Sequence, residues 1–227
     1  MTTEPVTVMG VDAALGQWVA VTLVGGRLEK VSLHVDARSF VEAAGDADVI
    51  AVDIPIGAPD GAERQAEQMA RSLIGPRRSS VFSTPLHAAL IAAEYGEALR
   101  ISNAAWGKGI SKQAYGLRHR ILDVEPIARE DRRIHEVHPE VSFRHLNGAP
   151  LAYSKKTWNG QNSRTELLEA VGVHLPDELE EAGRVPVDDV LDAAAAAWSA
   201  HRIATGVAVS LPDPPEMIRG ISAAIWY

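Results

Sequence analysis

The chain has 227 residues, no cysteine and a formal net charge of -8. That length is enough for one domain with a real core. The missing cysteines exclude disulfides, thiolate zinc sites and cysteine nucleophiles, and the acidic balance argues against a nonspecific nucleic-acid coat.

The average charge hides a pattern. Residues 1–63 carry 3 basic and 10 acidic groups, residues 64–165 carry 16 and 9, and residues 166–227 carry 3 and 11. Two basic runs stand in the middle third: Arg100, Lys108, Lys112, Arg118 and Arg120, then Arg144, Lys155, Lys156 and Arg164. Such runs can track a phosphate backbone or form solvated faces. No apolar stretch approaches the roughly 18 residues of a membrane span, and Met1-Thr2-Thr3-Glu4-Pro5 has neither a basic region nor a long apolar segment, so a cytoplasmic protein without membrane contact is expected.

In chain order, Val6 to Asp12 is a β-branched apolar run with Asp12 at its tip, and Trp18 to Val24 and Arg27 to His34 are two more strands. Gly25-Gly26 is a two-residue hairpin signal. Residues 37–45 form a short helix closed by Gly45, and Val49 to Ile54 is a continuous apolar strand of the buried type. Meander, helix and buried strand together predict a mixed sheet with parallel pairing at its centre.

Gly61 to Ile74 is expected to be helical, with Arg64 and Arg71 two turns apart on one face. Arg77 to Pro85 is a polar, basic loop with an apolar plug at Val81 and Phe82. Residues 85–101 and 111–131 read as two helices joined by a loop containing Trp106, and the region of about 61–132 reads as a helical insertion. Arg133 to His138 alternates as a half-buried strand, with Ile134, Glu136 and His138 on one face, and Pro139 opens a helix to Leu146. An irregular loop over 151–163 precedes a helix from Arg164 to Val171, and Leu175 to Gly183 is a charged, weakly periodic piece. A long helix over Val187 to Thr205 carries a smooth alanine face, and Ile221 to Tyr227 supplies a terminal strand.

Carboxylates recur where apolar elements end or begin: Asp12, Asp53, Glu136, and Asp188, Asp189 and Asp192 on the last helix. Asp189 and Asp192 share a helix face, and Asp188 with Asp192 is an equal alternative. A buried carboxylate is costly unless paired or metal-bound, and acids meeting at one spot repel unless a cation lies between them. A divalent-metal site with oxygen ligands is the working expectation.

Several segments also carry a family resemblance. Gly10 to Ala14, Ala51 to Gly57, Gly75 to Phe82, Glu136 to Glu140, Ser154-Lys155-Lys156 and Asp188 to Ala193 together resemble the domain-of-unknown-function family 429, regarded as a predicted RNase H-like nuclease group. Asp189 to Ala193 is also similar to the last acidic motif of bacterial Holliday-junction resolvases. The resemblance implies an α/β, RNase H-like mixed sheet of three antiparallel strands followed by parallel ones, flanked by helices. It implies that Asp12, Asp53, Asp189 and Asp192 bind the metal, with Glu136 a further catalytic candidate later in strand order.

The expected chemistry is phosphodiester hydrolysis assisted by Mg²⁺ or Mn²⁺. Arg77, Arg78, Lys155 and Lys156 are candidates to hold phosphates of a nucleic acid, and His138 to contact a phosphate or shuttle a proton. Trp106 or Trp158 could stack on an unpaired base or anchor a loop. Two other readings stand beside this one: an RNase H-like nucleic-acid-binding module without hydrolysis, and an actin-like or sugar-kinase-type phosphoryl-transfer protein. The last is disfavoured because the chain is too short for two duplicated lobes and lacks a second glycine-rich loop.

Overall fold

The computed structural model describes residues 4–227. The chain opens with β1 (Thr7–Ala14), β2 (Gln17–Val24) and β3 (Arg27–His34), paired antiparallel in sequence. Both connections are two-residue turns with positive φ, Leu15-Gly16 (45° and 84°) and Gly25-Gly26 (58° and 78°). That handedness matches the twist of the flanking strands. Helix α1 (Ala37–Ala44) starts at an Asp36–Ser39 capping box and leads into β4 (Val49–Val52).

Between β4 and β5 lie α2 (Gln65–Ile74), a 3₁₀ turn over Gly75–Ser80, α3 (His87–Leu90), α4 (Tyr95–Trp106), α5 (Lys112–Gly116) and α6 (Arg118–Glu130). β5 (Ile134–Glu136), α7 (Pro139–Asn147), α8 (Trp158–Ala170) and α9 (Val187–Ala204) follow. The chain ends in β6 (Ser210–Ile218) and β7 (Ile221–Trp226), an antiparallel pair apart from the main sheet. The main sheet has the order β3-β2-β1-β4-β5, with β1, β4 and β5 parallel. This is a mixed α/β architecture consistent with an RNase H-like fold. Among the described residues no helix is long and apolar enough to cross a membrane.

Strand alternation divides the core in two. Val8, Val19, Val21, Val49 and Ala51 face the alanines of α9, while Met9, Val11, Ile50, Val52 and Ile134 face α1 and α6. On the first of these faces α9 meets the sheet at Gly10. A Cβ there would lie 1.9 Å from the Ala197 nitrogen and 2.3 Å from the Ala193 carbonyl oxygen, so α9 rests directly on the β1 backbone.

Several boundaries differ from expectation. The helix expected from Gly61 begins at Gln65, because Arg64 keeps an extended backbone (ψ 144°) and turns its side chain into the core. The helix expected over 85–101 is broken into α3 and α4, where the Tyr115 hydroxyl donates to the Ala92 carbonyl at 2.8 Å. α4 runs on to Trp106, and a break at Leu117 separates α5 from α6. α8 begins at Trp158 within the expected loop, under a Thr157 cap. β6 was not expected: Pro212, Pro214 and Pro215 disguise it, and its pairing shifts register between Leu211 and Glu216, where they lie.

The Gly10 contact is with backbone, which has no side chain to move aside. Gly10→Ala is expected to lower stability by at least the ~1–3 kcal/mol of an overpacked core. An unchanged urea midpoint would contradict this seating of α9.

Candidate metal centre

The cluster follows from the sheet's pleat. Gly10 and Asp12 lie on the α9 face of β1. Parallel pairing matches Val11 with Val52, and the Asp53 amide donates to the Val11 carbonyl at 2.8 Å, so Asp12 and Asp53 end adjacent strands side by side. Asp192 directly precedes Ala193, the residue seated on Gly10. One carboxylate oxygen from each of Asp12, Asp53 and Asp192 lies within 4.8 Å of the others. Asp12 and Asp192 are buried and Asp53 is half-buried, beside a cleft of about 620 Å³.

Burial first, and the charges of Asp53 and Asp192 second, raise the pKa of Asp12 well above the ordinary carboxylate value. Burial also raises Asp53, against the positive charges of His138 and Lys155. It raises Asp192 to about 7, opposed by Lys155 and reinforced by Asp53. The Lys155 ammonium donates a hydrogen bond to Asp192 and stands 3.6 Å from Asp188, while Lys156 pairs with Asp188 at 2.6 Å. Burial works against the charge of Lys155, but Asp192, Asp53 and Asp12 outweigh it and raise its pKa. Among the described residues Asp12 and Asp53 have no ion pair of their own. Three hard oxygen donors, with the Lys155 ammonium on one of them, form a donor set of the kind that holds a metal ion.

The other expected residues divide. Asp189 is half-buried one turn before Asp192, outside the group of three, although its charge reaches Asp12. Glu136 borders the cleft but does not join the cluster. It is paired in register with Val52, so the pleat turns it to the opposite face from Asp12 and Asp53. There it meets the Arg64 guanidinium at 2.6 Å and accepts from the Ile56 amide at 2.8 Å. Burial still raises its pKa to about 7.

Arg77 lines the cleft, donates to the Leu151 carbonyl and lies 3.7 Å from Glu140, whereas Arg78 is exposed. His138 lines the cleft with Nε2 at 3.3 Å from the Ser80 carbonyl. Trp106 anchors the chain by donating to the Gly61 carbonyl, while Trp158 is 75 % exposed.

Sequence reasoning missed the partners. Arg64, fully buried between Glu67 and Glu136, had stood out only as a helix-face companion of Arg71. Buried Asp188 holds both lysines, and Arg164 pairs with Glu140 at 2.7 Å. A buried-arginine role has no local signature, since it depends on an acid 72 residues away.

Fold and cluster together define a mixed α/β protein, consistent with an RNase H-like fold, with a carboxylate triad beside the ends of its parallel strands β1 and β4. The chain belongs to the family described as "Protein of unknown function (DUF429)", whose model matches residues 10–217. No curated protein and no solved structure matches it.

Two outcomes follow from the electrostatics. Arg64→Met would leave Glu136 and Glu67 buried without their cation, so a loss of about 3–5 kcal/mol is expected in urea unfolding. The raised acids make the folded chain hold more protons than the unfolded one between pH 3.8 and about 7. The metal-free protein is therefore expected to lose stability as pH rises through that window. Because a cation needs deprotonated ligands, the gain in Tm on adding Mn²⁺ should grow over the same range. A gain independent of pH in thermal melts would contradict the assignment.

Proposed function

We propose that the protein is a divalent-metal-dependent nuclease hydrolysing phosphodiester bonds, with Asp12, Asp53 and Asp192 holding Mg²⁺ or Mn²⁺ and Asp189 beside them. One observation carries the reading: three carboxylates from β1, the tip of β4 and α9 converge where like charges repel, and among the described residues Asp192 alone of the three is in an ion pair. A bound divalent cation would supply Lewis acidity and neutralise the phosphodiester's charge.

The chain's own groups do the rest. Lys156, 66 % exposed at the edge of the cleft, offers its ammonium to a substrate phosphate, and Arg77 and exposed Arg78 extend that positive edge. His138, on the cleft wall within electrostatic reach of Asp53, is placed to carry a proton. The exposed indole of Trp158 is free to stack on an unpaired base. A nucleic acid is the partner in this reading, and the cytoplasm its setting.

A second reading, a binding module without hydrolysis, is favoured by the Lys155–Asp192 contact, which gives the cluster a cation without any metal. The two separate in a cleavage assay on single-stranded, duplex, hybrid and branched substrates with Mg²⁺ or Mn²⁺. Metal-dependent cleavage is expected, falling at least about a hundredfold in Asp12→Asn and in Asp192→Asn. Cleavage surviving both changes overturns the nuclease reading, and salt-sensitive binding without turnover favours the module.

A further inference from the structure

Lys155 lies among the acids differently from its neighbour. Its ammonium donates to Asp192, a member of the triad, stands 3.6 Å from Asp188, and feels the charges of Asp53 and Asp12, whereas Lys156 pairs with Asp188 outside the triad. The backbone beneath Lys155 is fixed. The Thr157 amide and hydroxyl both donate to the Ser154 carbonyl, at 2.9 and 2.8 Å. The buried Arg164 guanidinium donates to the carbonyls of Tyr153 and Gly160, at 3.3 and 2.9 Å. A Cβ on Gly160 would lie 1.9 Å from the Ser154 carbonyl oxygen, so this turn and the start of α8 are in direct backbone contact.

The side chain has freedom that its backbone lacks. It is 36 % exposed and reaches the acids along the cleft wall, so its flexible stem can withdraw without opening the core. A single ammonium offsets part of the negative charge of three carboxylates, and a divalent cation offsets more. Both cannot occupy the same side of Asp192 without repelling each other.

We infer that Lys155 is a built-in counter-ion for the carboxylate cluster, and that it releases Asp192 when a divalent cation enters, so that lysine and cation compete for one place. The inference rests on the cation reading of the cluster and is independent of hydrolysis. The released ammonium stays at the cleft, where an anionic oxygen of a substrate can take it. Cation binding and substrate binding are thereby coupled through one side chain.

The test is a Mn²⁺ titration by calorimetry of chelator-stripped protein at one pH, without nucleic acid. Removing the competitor in Lys155→Gln should tighten Mn²⁺ binding by about tenfold or more, because the free state no longer has to give up the Lys155–Asp192 pair. Lys155→Arg, which keeps the charge, should bind no tighter than the wild type, and Lys156→Gln should stay within about threefold. In chelator, Lys155→Gln should also melt below the wild type and gain more from Mn²⁺.

Wild-type binding that Lys155→Gln does not tighten overturns this inference alone. No binding by either protein overturns the cation reading with it. If Lys155→Gln is unfolded in chelator, Mn²⁺ must restore its circular dichroism spectrum, and failure to do so equally overturns the inference.

Discussion

The direct backbone contact of α9 with β1 at Gly10 is the constraint on which the site depends. Side chains normally keep a helix well clear of a sheet, but here the Ala193 carbonyl and the Ala197 amide occupy the space a Cβ would need. Small residues at Ala193 to Ala197 allow that depth on the helix side, and the missing side chain of Gly10 allows it on the strand side. Once the helix is so placed, Asp192 cannot avoid the end of β1. The pleat and the parallel pairing of β1 with β4 then leave Asp12 and Asp53 no direction but toward it. The acids converge because backbones pack, and their mutual repulsion is imposed on them by the fold.

The protein handles its buried acids in two ways. On one face of the sheet, Glu136 and Glu67 share the guanidinium of Arg64, which is fully enclosed. That arrangement is permanent, since neither partner can leave without unpacking the region. On the other face, the triad has the ammonium of Lys155, which approaches from the cleft and is partly in contact with solvent. The same sheet thus carries a closed neutralisation that serves stability and an open one that serves exchange. A carboxylate's neighbourhood, more than its burial, separates a structural acid from one available to a ligand.

What was legible in the sequence follows the range of the interactions involved. The opening meander and its glycine turn are encoded within a few residues, and so are the strand tips bearing Asp12 and Asp53 and the alanine face behind Asp192. Those features were readable. Glu136 had the same local appearance, an acid ending an apolar strand, but strand register decides its face, and register is not local. The start of α8 was hidden because Trp158 to Ser163 is polar and contains Gly160, a residue that weakens a helix and is needed here for the approach to Ser154. β6 was hidden by prolines that a paired edge accommodates through a register shift.

The basic middle third shows how charge along a chain differs from charge on a surface. In the first basic run Lys108 is paired with Glu63, Lys112 and Arg118 lie over Tyr95 and Tyr115, and Arg120 covers Trp18 and donates to the Gln17 carbonyl. In the second, Arg164 is enclosed with Glu140, and both lysines are engaged by the acids of α9. Much of the apparent phosphate-tracking charge therefore serves the protein itself. On the nuclease reading, a substrate is then held near the cluster by a few released or exposed cations, and not along an extended basic track. That geometry ties recognition to the state of the cluster, because one of the lysines at the cleft, Lys155, is held by the acids until a stronger cation replaces it.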